Sequence, residues 1–181
     1  MLRTIHIIFL VLVAAIVSGC QVETYPSAHV LHIPFSLHSN DHSGWAASTK
    51  MVLHYRGLSY SQEEIIDYHQ YYTHSRSATI DEISWLLWEL GDIESVVTGT
   101  LSFAEIQSHI DLGEPVILQY GDYYDGHYVV LHGYDDDGYV YIHEPYFGTS
   151  VIHYEDLYHR YFHGKSQHWS SSLIVSDWFA H

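Results

Sequence analysis

The hydrophobic period of this chain changes once, at Pro115, and that change limits the folds open to it. Before Pro115, three segments begin with a hydroxyl residue followed three places later by glutamate: Ser61 with Glu64, Thr79 with Glu82, and Ser102 with Glu105. This is the capping box, in which side chains and backbone at a helix start satisfy one another's donors, so each pair predicts a helix N-terminus. The helix after Thr79 is the clearest, because Ile83, Leu86, Leu87 and Leu90 repeat at helical spacing until Gly91. An earlier helix starts near Ser43 or Gly44, buries Trp45, Met51, Val52 and Tyr55 on one side, and stops at Gly57.

After Pro115 the pattern is that of strands. The runs 115–120, 127–134, 139–144, 150–154 and 171–177 are rich in β-branched and aromatic residues, and Asp-Asp-Asp-Gly at 135–138 makes a hairpin between the second and third. Helices first and an antiparallel sheet second indicate an α+β fold, with the early helix packed on the later sheet. With 181 residues, 47% of them hydrophobic, the chain can bury one good core and is too short for two comfortable domains.

Residues 1–20 read as an export signal: Arg3 supplies the positive end, Ile5 to Val17 a short apolar run, and Val17-Ser18-Gly19-Cys20 closes it. That run is too short to span a bilayer comfortably. Small residues just before Cys20 resemble a bacterial lipobox, which implies cleavage there and acylation of Cys20; the alternative is an ordinary signal peptide. Several acyl chains would hold the mature protein on a membrane almost permanently. Gln21 after the cysteine favours the outer membrane in a Gram-negative host. Residues 21–32 carry no periodic signal and are expected to be a tether, leaving 33–181 as the folded domain. Since Cys20 is the sole cysteine, a lipidated chain has no thiol left for catalysis or a disulfide.

Six Lys and Arg against twenty-two Asp and Glu give a net charge of −16, which argues against nucleic acid or an anionic membrane surface as ligand and favours a cationic partner. Seventeen histidines, with an unperturbed pKa near ~6.5, allow mild acid to cancel much of that charge. Spacings of four or five in His38/His42, His159/His163 and His127/His132 suggest metal, yet such spacings arise by chance in so histidine-rich a chain. No metal site and no cofactor are assigned.

The run IPFSLHSNDHSGWAASTKMVLHYRG (33–57) resembles the start of papain-like bacterial cysteine peptidases of the C39 and AvrRpt2-like groups. Their motif, Pro-x-x-x-Gln, five residues, then Cys, a Trp or Gly, x and Ala, leads into a Met-Val-Leu helix ending in Tyr-x-Gly. The run LSFAEIQSHIDLGEPVILQYGDYYDGHYVVLHGYDDDGYVYIHEPYFG (101–148) is similar to the family's second half: a Pro-Val-Ile strand, Gly-His opening the next strand, Gly-Tyr-Asp at the turn, then Asp-Pro-Tyr. The resemblance covers roughly 33–175 and implies the papain-like fold, a helical half packed on an antiparallel sheet.

That family works with a cysteine at a helix N-terminus, a histidine on the sheet as base and acid, an Asp or Asn orienting it, and a Gln donating to the oxyanion. The resemblance places His127 as the histidine, Glu144 as the orienting group and His38 at the Gln position. At the nucleophile position, seven before Met51, stands Gly44. Sliding the alignment puts Ser43 there instead, but turns it about 100° off the face set by Met51, Val52 and Tyr55 and breaks the spacing to His38. Ser43 suits the N-cap better.

The expectation is therefore a lipid-anchored, catalytically inactive peptidase homologue on the bacterial cell envelope that binds a peptide or protein segment. Its groove is expected to comprise Gly44, Trp45, Tyr124, His127 and Tyr146, with free helix N-terminal N–H groups accepting a carboxylate or carbonyl. Alternatives are an enzyme, peptidase or acyl transferase, running on Ser43 with His127, and a histidine-rich metal- or pH-responsive surface lipoprotein. Gly44 as a strain-specific change in an active peptidase also stands open, although His38 and Glu144 depart from the active pattern too.

Overall fold

A computed structural model of the protein describes residues 27–39, 42–75, 77–124, 126–162 and 165–176. The signal segment, Cys20 and residues 21–26 lie outside the described residues.

The helices stand where their caps predict. Helix α1 spans Gly44–Tyr55, α2 Gln62–Thr73, α3 Ile80–Gly91 and α4 Phe103–Asp111. Complete capping boxes start α2, α3 and α4; at α3, for example, the Glu82 N–H donates to the Thr79 hydroxyl while the Thr79 N–H donates to the Glu82 carboxylate at 2.7 Å. Ser43 precedes α1 at the N-cap position but makes no capping bond. Its φ of −105° and ψ of 13° depart from the extended backbone of the other three caps, so its hydroxyl is turned elsewhere.

The strands are β1 Ala28–Val30, β2 Ser95–Thr98, β3 Val116–Gly121, β4 Gly126–Asp135, β5 Tyr139–Glu144, β6 Gly148–His153, β7 His159–Phe162 and β8 Lys165–Val175. The order across the sheet is β2-β8-β3-β4-β5-β6, with every pair antiparallel; β1 adds to β4 and β7 to β8. The expected strand at 171–177 is the end of a longer β8, and β1, β2 and β7 carried no signal. At the β4–β5 hairpin the Asp135 carboxylate accepts from the N–H groups of Asp137 and Tyr139, both at 3.0 Å.

One expectation is corrected. The stretch 21–32 is not wholly a tether, because Ala28, His29 and Val30 pair with Asp135, Tyr134 and Gly133 of β4. Gly133 permits this: a Cβ there would sit 2.8 Å from the His29 carbonyl oxygen. Three residues are too few for a period-2 pattern to register.

The sheet is covered on both faces, which is why β3 and β4 read as continuous apolar runs rather than alternating ones. Helices α1 and α3 cover one face, where Met51, Val52, Ile83 and Leu87 meet Ile117, Val130 and Leu173, and α2 packs on α1. Helix α4 covers the other, where Ile106 and Ile110 meet Val116, Leu118, Val129 and Leu131. Leu87 is fully buried in the first core. Leu87→Ala is expected to lower unfolding stability by about 3 kcal/mol and Thr79→Ala by about 1 kcal/mol, both read by chemical denaturation with unchanged m-values.

Candidate functional site

The sheet brings together two residues seventeen apart in the chain. His127 is the second residue of β4 and Glu144 the last of β5, and His127 Nε2 lies 2.8 Å from Glu144 Oε1. Because a carboxylate only accepts, Nε2 carries the proton and Nδ1 is the basic nitrogen of the neutral ring. The same oxygen of Glu144 accepts from the Tyr146 N–H at 2.9 Å, while Oε2 is buried without a hydrogen-bond partner among the described residues. Glu144 is 2% exposed, so its two donors hold a carboxylate that water does not solvate.

Gly126 immediately precedes His127 for a steric reason. A Cβ on it would come within 2.6 Å of Gln119 Nε2 and 3.0 Å of the Tyr128 hydroxyl. That hydroxyl in turn donates to the Ala78 carbonyl at 3.0 Å, tying β4 to the connection between α2 and α3.

Opposite the pair, α1 begins. Gly44 is its first residue, and a Cβ added there meets no described atom within 4 Å. The backbone N–H groups of a first helical turn lack intrahelical partners and carry the positive end of the dipole. The start of α1 and His127, at the end of the sheet, share a pocket of about 80 Å³ lined by His38, His42, Gly44, Trp45, Ser77, Ala78, Tyr124, Gly126, His127, Tyr128, Pro145 and Tyr146.

Five residues expected in the groove, Gly44, Trp45, Tyr124, His127 and Tyr146, therefore line one pocket together with His38. Their exposures differ sharply. Trp45 is 3% exposed and packs on His69 as part of the core, forming a wall rather than a movable contact, whereas Tyr124 is 83% exposed at the rim. His38 stacks on Tyr146 with ring centroids 4.5 Å apart, and its N–H donates to the Pro145 carbonyl at 2.9 Å.

Ser43 does not line the pocket. It is 1% exposed, and its oxygen accepts from the Ser39 N–H at 3.0 Å and lies 3.2 Å from the Ser39 hydroxyl.

Two further residues of the site were not assigned to it from the sequence. His42 lines the pocket, although its spacing to His38 had suggested only metal. Gln62, 7% exposed, donates to the Ser36 hydroxyl and the Leu37 carbonyl and accepts from the Ser39 N–H, so it fixes the loop that presents His38. Gln62 stands inside a capping box and looks like an ordinary first-turn residue. Among the described residues no group of three His, Cys, Asp or Glu is placed to hold a metal ion. His163, one of the spaced histidines, lies outside the described residues.

With this geometry in place, comparison with known proteins is specific. The model of the Peptidase_C39 like family matches residues 45–170. The chain belongs to this family. Solved structures agree on the fold. A double-glycine-motif protease from an AMS/PCAT transporter, solved in complex with its leader peptide, superposes with a TM-score of 0.59 at 19% identity, covering 82% of this chain and 94% of that one. A C39-like peptidase from Bacillus anthracis gives 0.61 at 16% identity over 83% and 98%. The peptidase domain of Streptococcus ComA, a bifunctional ABC transporter of a quorum-sensing pathway, gives 0.58 at 16% identity over 81% and 100%. No curated protein matches the chain significantly.

Gly126→Ala tests how this C39-like site is held. The added methyl forces Gln119 and Tyr128 apart and is expected to cost about 1–3 kcal/mol in unfolding stability. It should also raise hydrogen exchange at the amides of 126–128 while leaving α4 unchanged.

Proposed function

We propose that this protein holds a peptide or protein segment in a C39-like pocket without cutting it, at the bacterial cell envelope. The observation that carries the reading is Gly44: the first residue of α1, lining the same pocket as His127, offers no side-chain atom to attack a carbonyl. On this reading Gly44 occupies the position of the family's nucleophile, and the family's cysteine is missing. By analogy with serine proteases, loss of a nucleophile costs on the order of a million-fold in turnover.

What remains suits binding. Helix N–H groups and the histidines His38, His42 and His127 favour a carboxylate or peptide carbonyl, and Tyr124 and Tyr146 supply aromatic walls. A net charge of −16 favours a segment that is otherwise cationic. Anchoring through acylated Cys20 would place the pocket on the envelope, on the outer membrane in a Gram-negative host. The enzyme reading on Ser43 is disfavoured because that hydroxyl is buried against Ser39 and does not line the pocket.

Two experiments test the proposal. Residues 21–181, immobilised and exposed to envelope extract, are expected to retain intact polypeptides, equally with Ser43→Ala and not with Gly44→Leu. New peptide termini that vanish with Ser43→Ala would make the protein an enzyme and end the binding reading.

Gly44→Cys in the same 21–181 chain introduces its single thiol. The helix dipole and His127 should hold it partly as thiolate, so that iodoacetamide alkylates it at pH 7 about tenfold faster than in the Gly44→Cys, His127→Ala double variant. Equal rates would mean that Gly44 does not address His127.

A further inference from the structure

On the α1 side of the sheet, away from the His127–Glu144 pair, two more histidines are buried against each other. His132 of β4 and His143 of β5 are 5% and 6% exposed, and their rings stack with centroids 3.9 Å apart. Both bond to the segment that connects β1 to the site. His132 Nδ1 lies 3.1 Å from the Leu31 carbonyl oxygen and His143 Nε2 lies 2.9 Å from that of Ile33.

Carbonyls only accept, so these two nitrogens carry the protons and the tautomers of the neutral pair are fixed. His143 Nδ1 then accepts from the Thr149 hydroxyl at 2.9 Å. His132 Nε2 is a bare lone pair, buried with no partner among the described residues. The Leu31 N–H donates to the His132 carbonyl at 2.8 Å, and Phe35 sets its ring edge against His143 at 5.4 Å. The same segment continues to His38 in the pocket.

Deepening the binding reading, which places His38 in the pocket wall, we infer that the His132–His143 stack is an acid-sensitive latch. Neutral, it holds residues 31–38 on the sheet; protonated, it releases them and dismantles that wall.

The physics runs one way. A proton on His132 Nε2 would create a buried N–H without an acceptor and a charge against a ring 3.9 Å distant, and lifting the segment admits the water that relieves both. The charges that bear on His132 are those of His143 from β5 and His32 from the segment itself, and each opposes protonation. From β6 the pair receives only the Thr149 hydroxyl, and α1 meets this face through Trp45, Ala46, Met51 and Val52. Glu144 follows His143 along β5 but points to the opposite face, towards His127.

Burial pushes His132 down to about 4 and His143 also below the ordinary histidine value. The released form, with solvated rings, binds protons near pH ~6.5. Closure is therefore fully favoured above that pH and weakens as pH falls towards about 4.

Hydrogen exchange on the mature chain tests this without any ligand. After correction for intrinsic rates, protection of the Leu31 and His38 amides is expected to fall by up to about a hundredfold per pH unit between pH ~6 and ~4, because each opening takes up two protons, while that of Ile83 and Leu87 stays level. The double variant His132→Asn, His143→Gln keeps an amide donor for each carbonyl and cannot titrate, so its protection should be flat. A flat wild-type profile, or the same slope in the variant, overturns the latch.

Ring titration of the wild type by NMR gives a check that no variant's folding can obscure. The two rings must stay neutral below pH 5.5 and protonate together with loss of Leu31 protection; titration near 6.5 with the segment still protected overturns the inference. Since these readouts need no peptide, failure of the latch and failure of the binding reading are separately visible.

Discussion

One ladder sets everything of chemical interest in this molecule: the antiparallel pairing of β4 with β5. Its register places Val130 opposite His143 and Leu131 opposite Ile142, with an irregularity between Leu131 and Gly133. Because side chains alternate across a sheet, one register fixes two histidine contacts on opposite faces, His127 with Glu144 and His132 with His143. A slip of β5 by one residue would turn His143 and Glu144 to the wrong faces and break both contacts. The hairpin that prevents it depends on Asp135, whose carboxylate takes two backbone N–H groups, and on Gly138, whose φ of 88° a residue with a Cβ would adopt only under strain.

Much of this was legible before any coordinates. Capping boxes are local chemistry, written in residues three apart, and all three helices they announce begin where they should. Buried strands of β-branched residues are equally plain. The misses are the elements whose existence depends on distant partners. Strand β1 has three residues and forms because Gly133 lets it approach; β2 has four and pairs with Ser172–Val175 of β8. No window of sequence contains those causes.

The site was read with the same strengths and gaps. The resemblance, through the spacing to Met51 and through Gly-His, points to Gly44 and His127, and both line the pocket. Gln62 was not, because what distinguishes it is burial under a loop 23 to 26 residues away. Histidine abundance also hid His132 and His143. Seventeen copies make any pair look accidental, and only the stack and the two carbonyls separate these from the rest.

The path of β1 has a geometric consequence for a chain tied to a surface by its N-terminus. Ala28 pairs with Asp135, at the end of β4 remote from His127. Eight residue steps from His127 to Asp135, at about 3.3 Å each, separate the start of β1 from the pocket by roughly 26 Å. If the chain is anchored through Cys20 as proposed, its attachment and its pocket lie at opposite ends of β4.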